Sequence, residues 1–373
     1  MDYVEIIKMA VMWLIGFGLI YLAVKKEYEP TLLLPMGFGA ILVNLPNTGV
    51  LNQVMPGIGE VRGIIQWLYE IGIEASEAMP ILLFIGIGSM IDFEPLLQRP
   101  IMALYGFMAQ FGIFVAIGVA LLLGFSTADA FSIGIIGAAD GPTAILVSQV
   151  LKSNYMGPIA VVAYSYMALV PIIQPTTIRL ITSKKERQIT MPIKQTKKIS
   201  RTTKIIFPIA VTIIAGFIAP MSISLVGFLM FGNLIRECGV LNTLSKTAQD
   251  VLTNLITLLL GITISFSMRA EHFVRIETLM IMVIGLFAFV MDTIGGVCLA
   301  KFMNLFLKKK INPMIGGAGI SAFPMSSRVV QKLALEEDPS NILIMHAAGA
   351  NVSGQIASVV AGGLVINLVS QFL

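Results

Sequence analysis

The sequence predicts an all-α polytopic membrane protein with two inverted repeats, each containing about five spans and a broken re-entrant hairpin, as in elevator- or rocking-type transporters. Of the 373 residues, 56% are hydrophobic and 12% are charged, and the mean hydropathy is +0.88. A soluble domain carries roughly 25% charged residues, so this composition excludes an ordinary soluble domain. Two further features support the fold: a carboxylate inside a broken apolar run, and an ordered similarity between the two halves.

Long apolar runs predict the membrane spans of both halves. The first half is residues 1–182 and the second is 205–373, with a charged linker at 183–204. The predicted spans are 9–24, 31–45, 79–91, 101–124 and 156–182 in the first half, and 205–219, 222–235, 255–268, 277–307 and 342–369 in the second.

Residues 60–78 differ from these runs because apolar and acidic side chains alternate at helical spacing. We expect an amphipathic helix that lies at the membrane interface. Its apolar face would carry Ile64, Ile65, Leu68, Ile71 and Ile73, and its polar face Glu60, Glu70, Glu74 and Glu77.

The linker at 183–204 holds eight basic residues and a single acid, Glu186. Because loops rich in Lys and Arg remain inside the cell, we predict that this linker is cytoplasmic. A basic run can also bind nucleic acid or acidic lipid, but membrane topology is a sufficient explanation here, and no nucleic-acid partner is expected. The basic residues are Lys184, Lys185, Arg187, Lys194, Lys197, Lys198, Arg201 and Lys204.

The stretch 134–149, GIIGAADGPTAILVSQ, places Asp140 inside an apolar run that Gly141 and Pro142 interrupt. Proline cannot continue a helix smoothly, so the backbone should open there and free carbonyl groups. Opened backbone beside a carboxylate suits a small hard cation, and an intramembrane aspartate indicates an ion pathway. The alternative is a surface turn, because Asp-Gly-Pro is also a common turn sequence.

A second broken segment, at 315–333, resembles the first. The stretch 316–331 reads GGAGISAFPMSSRVVQ and aligns with 134–149 at a constant offset. A similar offset places Tyr166 on Asn351, so each half supplies a polar side chain on the span that follows its break. Because the order of similarity is the same in both halves, we infer a duplication. The matched pairs are Gly134 and Gly316, Gly137 and Gly319, Pro142 and Pro324, Val147 and Val329, and Gln149 and Gln331.

Charge positions predict how the two repeats are oriented. With Lys25 and Lys26 inside, an odd number of spans in the first half inverts the second half. The first hairpin should then enter from outside and the second from inside, just after Lys308–Lys310. Their tips would meet near the bilayer midplane, where inverted-repeat transporters place ion sites.

Four stretches also resemble a known family: GAADGPTAI, YSYMALVPIIQP, NPMIGGAGISAFPMSSRV and GANVSGQI. They are similar to signature stretches of the β subunits of biotin-dependent, sodium-translocating decarboxylases, and occur in the same order. The resemblance implies a multi-pass protein of the cell (inner) membrane. Its partners would be a carboxyltransferase α subunit, a biotin carrier protein and a small γ or δ membrane subunit, and the β subunits themselves would form a homo-oligomer.

The implied activity couples decarboxylation of carboxybiotin on a partner subunit to the export of sodium ions. Family members serve methylmalonyl-CoA, glutaconyl-CoA or oxaloacetate decarboxylases, with a CoA ester or oxaloacetate as the expected substrate of the complex. A stand-alone sodium-coupled secondary transporter is the alternative, since broken helices in inverted repeats are typical of that class too. A structural anchor for a soluble enzyme is a third possibility, but an anchor needs no midplane carboxylate.

The resemblance also implies functional positions, each with a chemical reason. Asp140 supplies charge for sodium, and neutral oxygens suit a hard monovalent cation. Arg328 is expected to hold the carboxyl group of carboxybiotin through its planar two-donor fork. A proton for decarboxylation would be displaced from Asp140 or Tyr166 when sodium arrives. Capping of a helix is the alternative for Ser321 and Asn312. The implied sodium positions are Asp140, Tyr166, Asn312, Gly316, Ser321 and Asn351, and the implied catalytic positions are Arg328, Tyr166 and Ser321.

Overall fold

The computed structural model describes residues 3–75, 78–191 and 198–372, and this part of the chain is mostly helical. An antiparallel hairpin pairs β1 (Gln53–Met55) with β2 (Gly59–Val61). The helices are α1 (Tyr3–Lys26), α2 (Pro30–Val43), α3 (Ile64–Tyr69), α4 (Ala78–Met90), α5 (Glu94–Gln98), α6 (Ala103–Met108), α7 (Phe111–Leu122), α8 (Thr127–Gly134), α9 (Gly141–Val150), α10 (Met156–Ile181), α11 (Lys184–Arg187), α12 (Arg201–Ile218), α13 (Ile223–Glu237), α14 (Asn242–Lys246), α15 (Thr253–Ile264), α16 (Ala270–Phe273), α17 (Ile276–Phe306), α18 (Met314–Gly317), α19 (Met325–Glu337) and α20 (Ile344–Phe372).

Among the described residues, six helices are long and apolar enough to cross a membrane, and eight if each of two bent helix pairs counts as one span. The prediction of a polytopic helical membrane protein is therefore confirmed. The predicted spans at 31–45 and 222–235 are helices of 14 and 15 residues, α2 and α13, and an untilted span needs about 20 residues.

The predicted amphipathic helix at 60–78 is wrong in its start and in its single apolar face. Residues 60 and 61 belong to β2, because glycines at 57 and 59 with positive φ turn the chain into a hairpin. The helix begins at Ile64 and passes into a π-helical turn, Glu70–Glu74. A π-helical turn holds one more residue than an α-helical turn, so side chains beyond it point in directions that differ from those of a regular helix. Ile73 is therefore buried, whereas Ile71 is 42% exposed. Glu77 lies outside the described residues.

Two of the predicted continuous spans are interrupted. The run at 101–124 forms α6 and α7, separated by a turn at Ala109 and Gln110. The side chain of Gln110 donates through Nε2 to the carbonyl of Gly106 at 3.1 Å, beside this turn. Helix α10 bends by 68° after Met167. Pro171 has no backbone N–H group, so the carbonyl of Met167, four residues earlier, loses its helical hydrogen bond.

The helices form two bundles, and each bundle draws on both halves of the chain. The panel bundle consists of α1, α2, α4, α12, α13 and α15, and the core bundle of α6–α10 and α17–α20. Both broken segments belong to the core bundle, where α17 packs on α7, α10 and α18. The buried side chains of this bundle form most of the larger hydrophobic cluster. Asp140 therefore lies buried within the core bundle.

The start of the linker folds against the end of α19. Arg187 Nε lies 2.7 Å from Glu337 Oε1, and Arg179 Nη2 lies 2.5 Å from Glu336 Oε2. Glu186 also pairs with Lys301 at 3.1 Å. Burial favours a higher pKa for Glu186, but hydrogen bonds from the Ser183 amide and hydroxyl groups and from Lys301, together with the charge of Lys301, outweigh it and lower the pKa. Lys194 and Lys197 of the predicted basic run lie outside the described residues.

Candidate functional site

The first broken segment opens the backbone immediately before Asp140. Helix α8 passes into a 3₁₀ turn, Ile135–Ala138, and Ala139 then adopts a left-handed conformation with φ 53°. This conformation ends a helix, and it is unusual for a residue with a Cβ. Asp140 is extended, with φ −132° and ψ 96°, and α9 begins with Gly141 and Pro142. Asp140 is only 4% exposed, which excludes the surface-turn alternative.

The carboxylate of Asp140 is held by two hydroxyl groups. Thr143 Oγ1 donates to Asp140 Oδ2 at 2.6 Å, and Ser358 Oγ of α20 donates to the same oxygen at 3.0 Å. No ion pair to Asp140 occurs among the described residues. Asp140 is the residue immediately before α9, and the dipole of a helix favours negative charge at its start. A buried anion with hydroxyl neighbours and no basic partner is suited to binding a cation.

The second broken segment contains a longer irregular stretch, 318–324, between α18 and α19. Polar side chains from neighbouring spans bond the carbonyl groups that this break frees. Gln174 Nε2 donates to Gly317 O at 2.6 Å, and Asn351 Nδ2 donates to Ile320 O at 2.7 Å. Protein groups thus satisfy an open backbone that lipid cannot satisfy.

The two broken segments touch through Ser321. Its hydroxyl group donates to the carbonyl of Ala138, two residues before Asp140, and its amide lies 3.4 Å from the same oxygen. Asn351 is fully buried, and its amide nitrogen donates to Ile320 O, whereas its Oδ1 has no hydrogen-bond partner in the part of the chain that the structure describes. The structure therefore brings three predicted residues, Asp140, Ser321 and Asn351, to one junction.

Three other predicted residues lie elsewhere. Tyr166 donates its hydroxyl hydrogen to the carbonyl of Met282 on α17, beside an apolar cavity of about 580 Å³. Asn312 donates to the carbonyls of Arg187 and Ile189 at 2.7 and 2.9 Å, and thus binds the start of the linker. Gly316 packs on Gly296 so closely that a Cβ would lie 1.9 Å from its carbonyl oxygen.

Arg328 lies on the exposed face of α19, away from Asp140. It lines an open cavity of about 410 Å³ together with Lys332, Glu336 and neighbouring residues. Residues 328, 332 and 336 recur at helical spacing, so this face leads from Arg328 toward the end of α19 that contacts the linker. The charge of Arg328 also acts on Glu29, whose pKa is raised by burial and lowered in part by that charge.

Sequence reasoning missed four side chains at the junction. Ser358 lies two turns after Asn351 on the same face of α20, so its helical spacing was an available signal. Thr143 follows Asp140 by three residues, the spacing of a local side-chain pair at a helix start. Tyr164, rather than Tyr166, packs its ring on Gly141, where a Cβ would lie 2.3 Å from the ring. Gln174 carries no sequence signal beyond its place in an apolar span.

The chain matches one known protein family over nearly its full length. The family described as the Na⁺-transporting oxaloacetate decarboxylase beta subunit matches residues 8–369. The chain belongs to this family. It is 46% identical to the methylmalonyl-CoA decarboxylase subunit beta of Propionigenium modestum, over 96% of this chain and 94% of that protein. Identity is 44% to the glutaconyl-CoA decarboxylase subunit beta of Acidaminococcus fermentans, over 96% and 93% of the two chains.

A third relative extends the range of named substrates. The probable oxaloacetate decarboxylase beta chain of Vibrio cholerae serotype O1 is 42% identical, over 96% of this chain and 95% of that protein. The resemblance drawn from four sequence stretches is therefore confirmed over nearly the full length. The chain is a membrane subunit of a decarboxylase sodium pump, and as a β subunit it works with partner subunits.

Proposed function

We propose that sodium ions cross the protein through the junction of the two broken segments, with Asp140 as the charged ligand. The observation that carries this proposal is the buried carboxylate at a helix break, bonded by Thr143 and Ser358 and lacking a basic partner among the described residues. Ser321 and Asn351 offer two more oxygens at the same junction. Oxygen ligands of this kind suit a hard cation.

Carboxybiotin carried by a partner subunit is the proposed second ligand, and Arg328 would hold its carboxyl group. Among the described residues Arg328 forms no ion pair, and its guanidinium is exposed to an open cavity. A planar fork of donors binds a carboxylate through two parallel hydrogen bonds. The reaction consumes one proton and yields biotin and carbon dioxide.

Asp140 and Tyr166 are the proposed proton sources. A sodium ion that arrives at the oxygens around Asp140 favours the charged carboxylate and so displaces a proton from it. The hydroxyl group of Tyr166 donates a hydrogen bond to a carbonyl of α17, so release of its proton requires that hydrogen bond to break. Asn312 and Gly316 act on transport indirectly in this scheme, because they fix the linker and the crossing of α17 with the second segment.

The complex would contain a carboxyltransferase α subunit, a biotin carrier protein, a small γ or δ subunit and several copies of this chain. Its substrate would be methylmalonyl-CoA, glutaconyl-CoA or oxaloacetate, as in the named relatives. Moving one charge against 100 mV costs roughly 2.3 kcal/mol. An exergonic decarboxylation can therefore drive the export of more than one sodium ion per turnover.

Reconstitution into vesicles tests the pump against its rivals. Vesicles with the native complex should accumulate ²²Na⁺ when free carboxybiotin is supplied. Vesicles with the isolated chain should not take up sodium when carboxybiotin is absent. Sodium-coupled solute uptake by the isolated chain would favour a secondary transporter. Unchanged decarboxylation after removal of all sodium would favour an anchor and overturn the proposal.

The inverted repeat in the inner membrane is part of the same proposal. Contact between Ser321 and Ala138 is what two hairpins entering from opposite sides would produce at their tips. Single cysteines at Thr127 and Lys185, in a chain with Cys238 and Cys298 replaced, should react with an impermeant maleimide from opposite sides, with Lys185 cytoplasmic. Reaction of both from one side would contradict the inverted arrangement.

A further inference from the structure

Two cavities follow one another along α1. A cavity of about 520 Å³ lies beside the start of the helix, where Glu5 and Lys8 line it. A cavity of about 580 Å³ lies further along the same helix, where Val11, Ile15 and Leu19 line it. Both volumes fall within the usual range of small-molecule sites. The first cavity is therefore near the end of a membrane-spanning helix and the second is nearer its middle.

The first cavity carries charged side chains of both signs. Lys8 and Arg269 are positive and Glu271 is negative. None of these three forms an ion pair among the described residues. The guanidinium carbon of Arg269 lies 4.5 Å from the centre of the Phe266 ring, and its Nε is buried without a hydrogen-bond partner in the same part of the chain. This cavity thus offers charges that a ligand can pair.

The second cavity is lined mainly by apolar side chains of α1, α10 and α17, and Tyr166 is among its walls. It is bordered by Ile276 and Leu279, which are both exposed on the membrane-spanning part of the protein. An apolar cavity does not hold water, so a lipid acyl chain is the group that can fill it. From Val11 to Leu19 the helix rises about 12 Å, close to the roughly 15 Å that the acyl chains of one leaflet occupy.

One connector contributes to both cavities and fixes how they are placed. Met268 lines the apolar cavity, and the next residue, Arg269, lines the charged one. Asn44, which is buried, binds this connector through both polar atoms of its side chain. Its Nδ2 donates to Met268 O at 2.8 Å, and its Oδ1 accepts from the amide of Ala270 at 2.7 Å. Charged and apolar walls are thereby arranged in the order in which a phospholipid carries its headgroup and its chains.

We propose that the two cavities together bind one phospholipid with a phosphoethanolamine headgroup. Lys8 and Arg269 bind the phosphate, because both side chains form charge-assisted hydrogen bonds with phosphate oxygens. Glu271 binds the ammonium group, and one acyl chain lies in the apolar cavity against Tyr166. Charges of both signs favour this zwitterionic headgroup over a purely anionic one.

The bound chain would pack between the two bundles, because α1 belongs to the panel bundle whereas α10 and α17 belong to the core bundle. It would also exclude water from the hydroxyl group of Tyr166. The proposal does not depend on which residues bind sodium, and its test requires no measurement of sodium binding or turnover.

Photocrosslinking of the native complex tests this site. The complex is placed in phosphatidylglycerol vesicles with a trace of phosphatidylethanolamine that carries a diazirine on one acyl chain. Irradiation should attach this lipid mainly to residues 161–169 of α10 and 279–282 of α17, which line the apolar cavity. Unlabelled phosphatidylethanolamine should displace the probe, although phosphatidylglycerol is already present in excess.

Two variants alter the two ends of the site separately, each compared at equal yield of assembled complex. Lys8→Gln should reduce labelling of these segments about tenfold, because a charge-assisted hydrogen bond to phosphate is lost. Ser165→Leu keeps the charged residues but fills the apolar cavity, and it should reduce labelling as well; the hydroxyl group of Ser165 donates to Val161 of its own helix. Arg62→Gln is the matched control, because Arg62 is exposed and lines neither cavity.

Three results would overturn the phospholipid site. Equal labelling in Lys8→Gln and Arg62→Gln would mean that the headgroup is not recognised. Equal labelling by a phosphatidylglycerol probe with the same diazirine chain would mean that the lipid is ordinary bilayer lipid. Labelling of a partner subunit, with none in the apolar cavity, would identify a protein helix as the occupant.

Discussion

The two broken segments share a backbone design but differ in charge and exposure. The first is buried throughout 132–148 and carries Asp140, whereas the second is buried at Ser321 and exposed at Arg328. In the first, hydroxyl groups surround a carboxylate; in the second, a guanidinium faces an open cavity. In the proposed function, the first segment binds a cation inside the protein and the second binds the carboxylate of carboxybiotin, which a partner subunit carries.

The strongest test of this division is the loss of the buried charge. Asp140→Asn keeps the size of the side chain but removes the anion, and it should reduce sodium-dependent decarboxylation by about a hundredfold or more, because several charge-assisted contacts of about 1.5–3 kcal/mol each are lost. Assembly should persist, since a buried charge is itself unfavourable in a membrane protein. The rate is measured with free carboxybiotin across a range of sodium concentrations.

Asp129→Asn is the control for this variant. Asp129 is also buried, but its oxygens accept from Ser126, Ser153 and Asn154 at 2.7–3.2 Å, so it is satisfied by local donors at the start of α8. Its replacement should lower stability by about 1 kcal/mol and leave the sodium dependence as it is. Wild-type turnover in Asp140→Asn would remove Asp140 from the ion site.

A smaller effect should separate the second segment from the first. Arg328→Lys keeps the positive charge but loses the planar fork, and the concentration of carboxybiotin for half-maximal rate should rise about ten- to a hundredfold. The concentration of sodium for half-maximal rate should stay nearly constant. Lys332→Arg, on the same exposed face of α19, should change neither. A shift confined to the sodium dependence would assign Arg328 to the ion pathway.

Much of this architecture is predictable from the sequence because apolar length and glycine-proline breaks are local signals. The break at Asp140 and the resemblance of 316–331 to 134–149 both correspond to interrupted helices. The hairpin at 53–61 was missed because apolar spacing outweighed the turn signal of its glycines. The π-helical turn at 70–74 was missed because no residue pattern marks it.

The site was predictable only where one residue type carries the chemistry. Asp140 is conspicuous as an acid in an apolar run, but Ser358 and Gln174 are common polar residues whose roles depend on which span packs against the breaks. Tyr164 and Tyr166 illustrate the limit. They are two residues apart on α10 and face opposite neighbours, Gly141 and Met282, which only the packing of α10 decides.

The mildest test concerns a single hydroxyl group at the proposed ion site. Ser358→Ala removes one neutral donor to Asp140 Oδ2. Because the same hydroxyl group also lies 3.1 Å from the carbonyl oxygen of Gln355, we expect it to contribute about 1 kcal/mol, less than a full charge-assisted bond, so the sodium concentration for half-maximal rate should change about fivefold while the maximal rate and the carboxybiotin dependence persist. If the hydroxyl oxygen coordinates sodium, the required sodium concentration rises. If it serves only to hold Asp140, thermal stability falls and the required sodium concentration is unchanged.

Ser148→Ala is the matched control, because Ser148 is equally buried and bonds only Ala144 of its own helix. A rise of equal size in both serine variants would mean that sodium affinity reports general packing of the core bundle, and the division between the two segments would then depend on Asp140 and Arg328 alone.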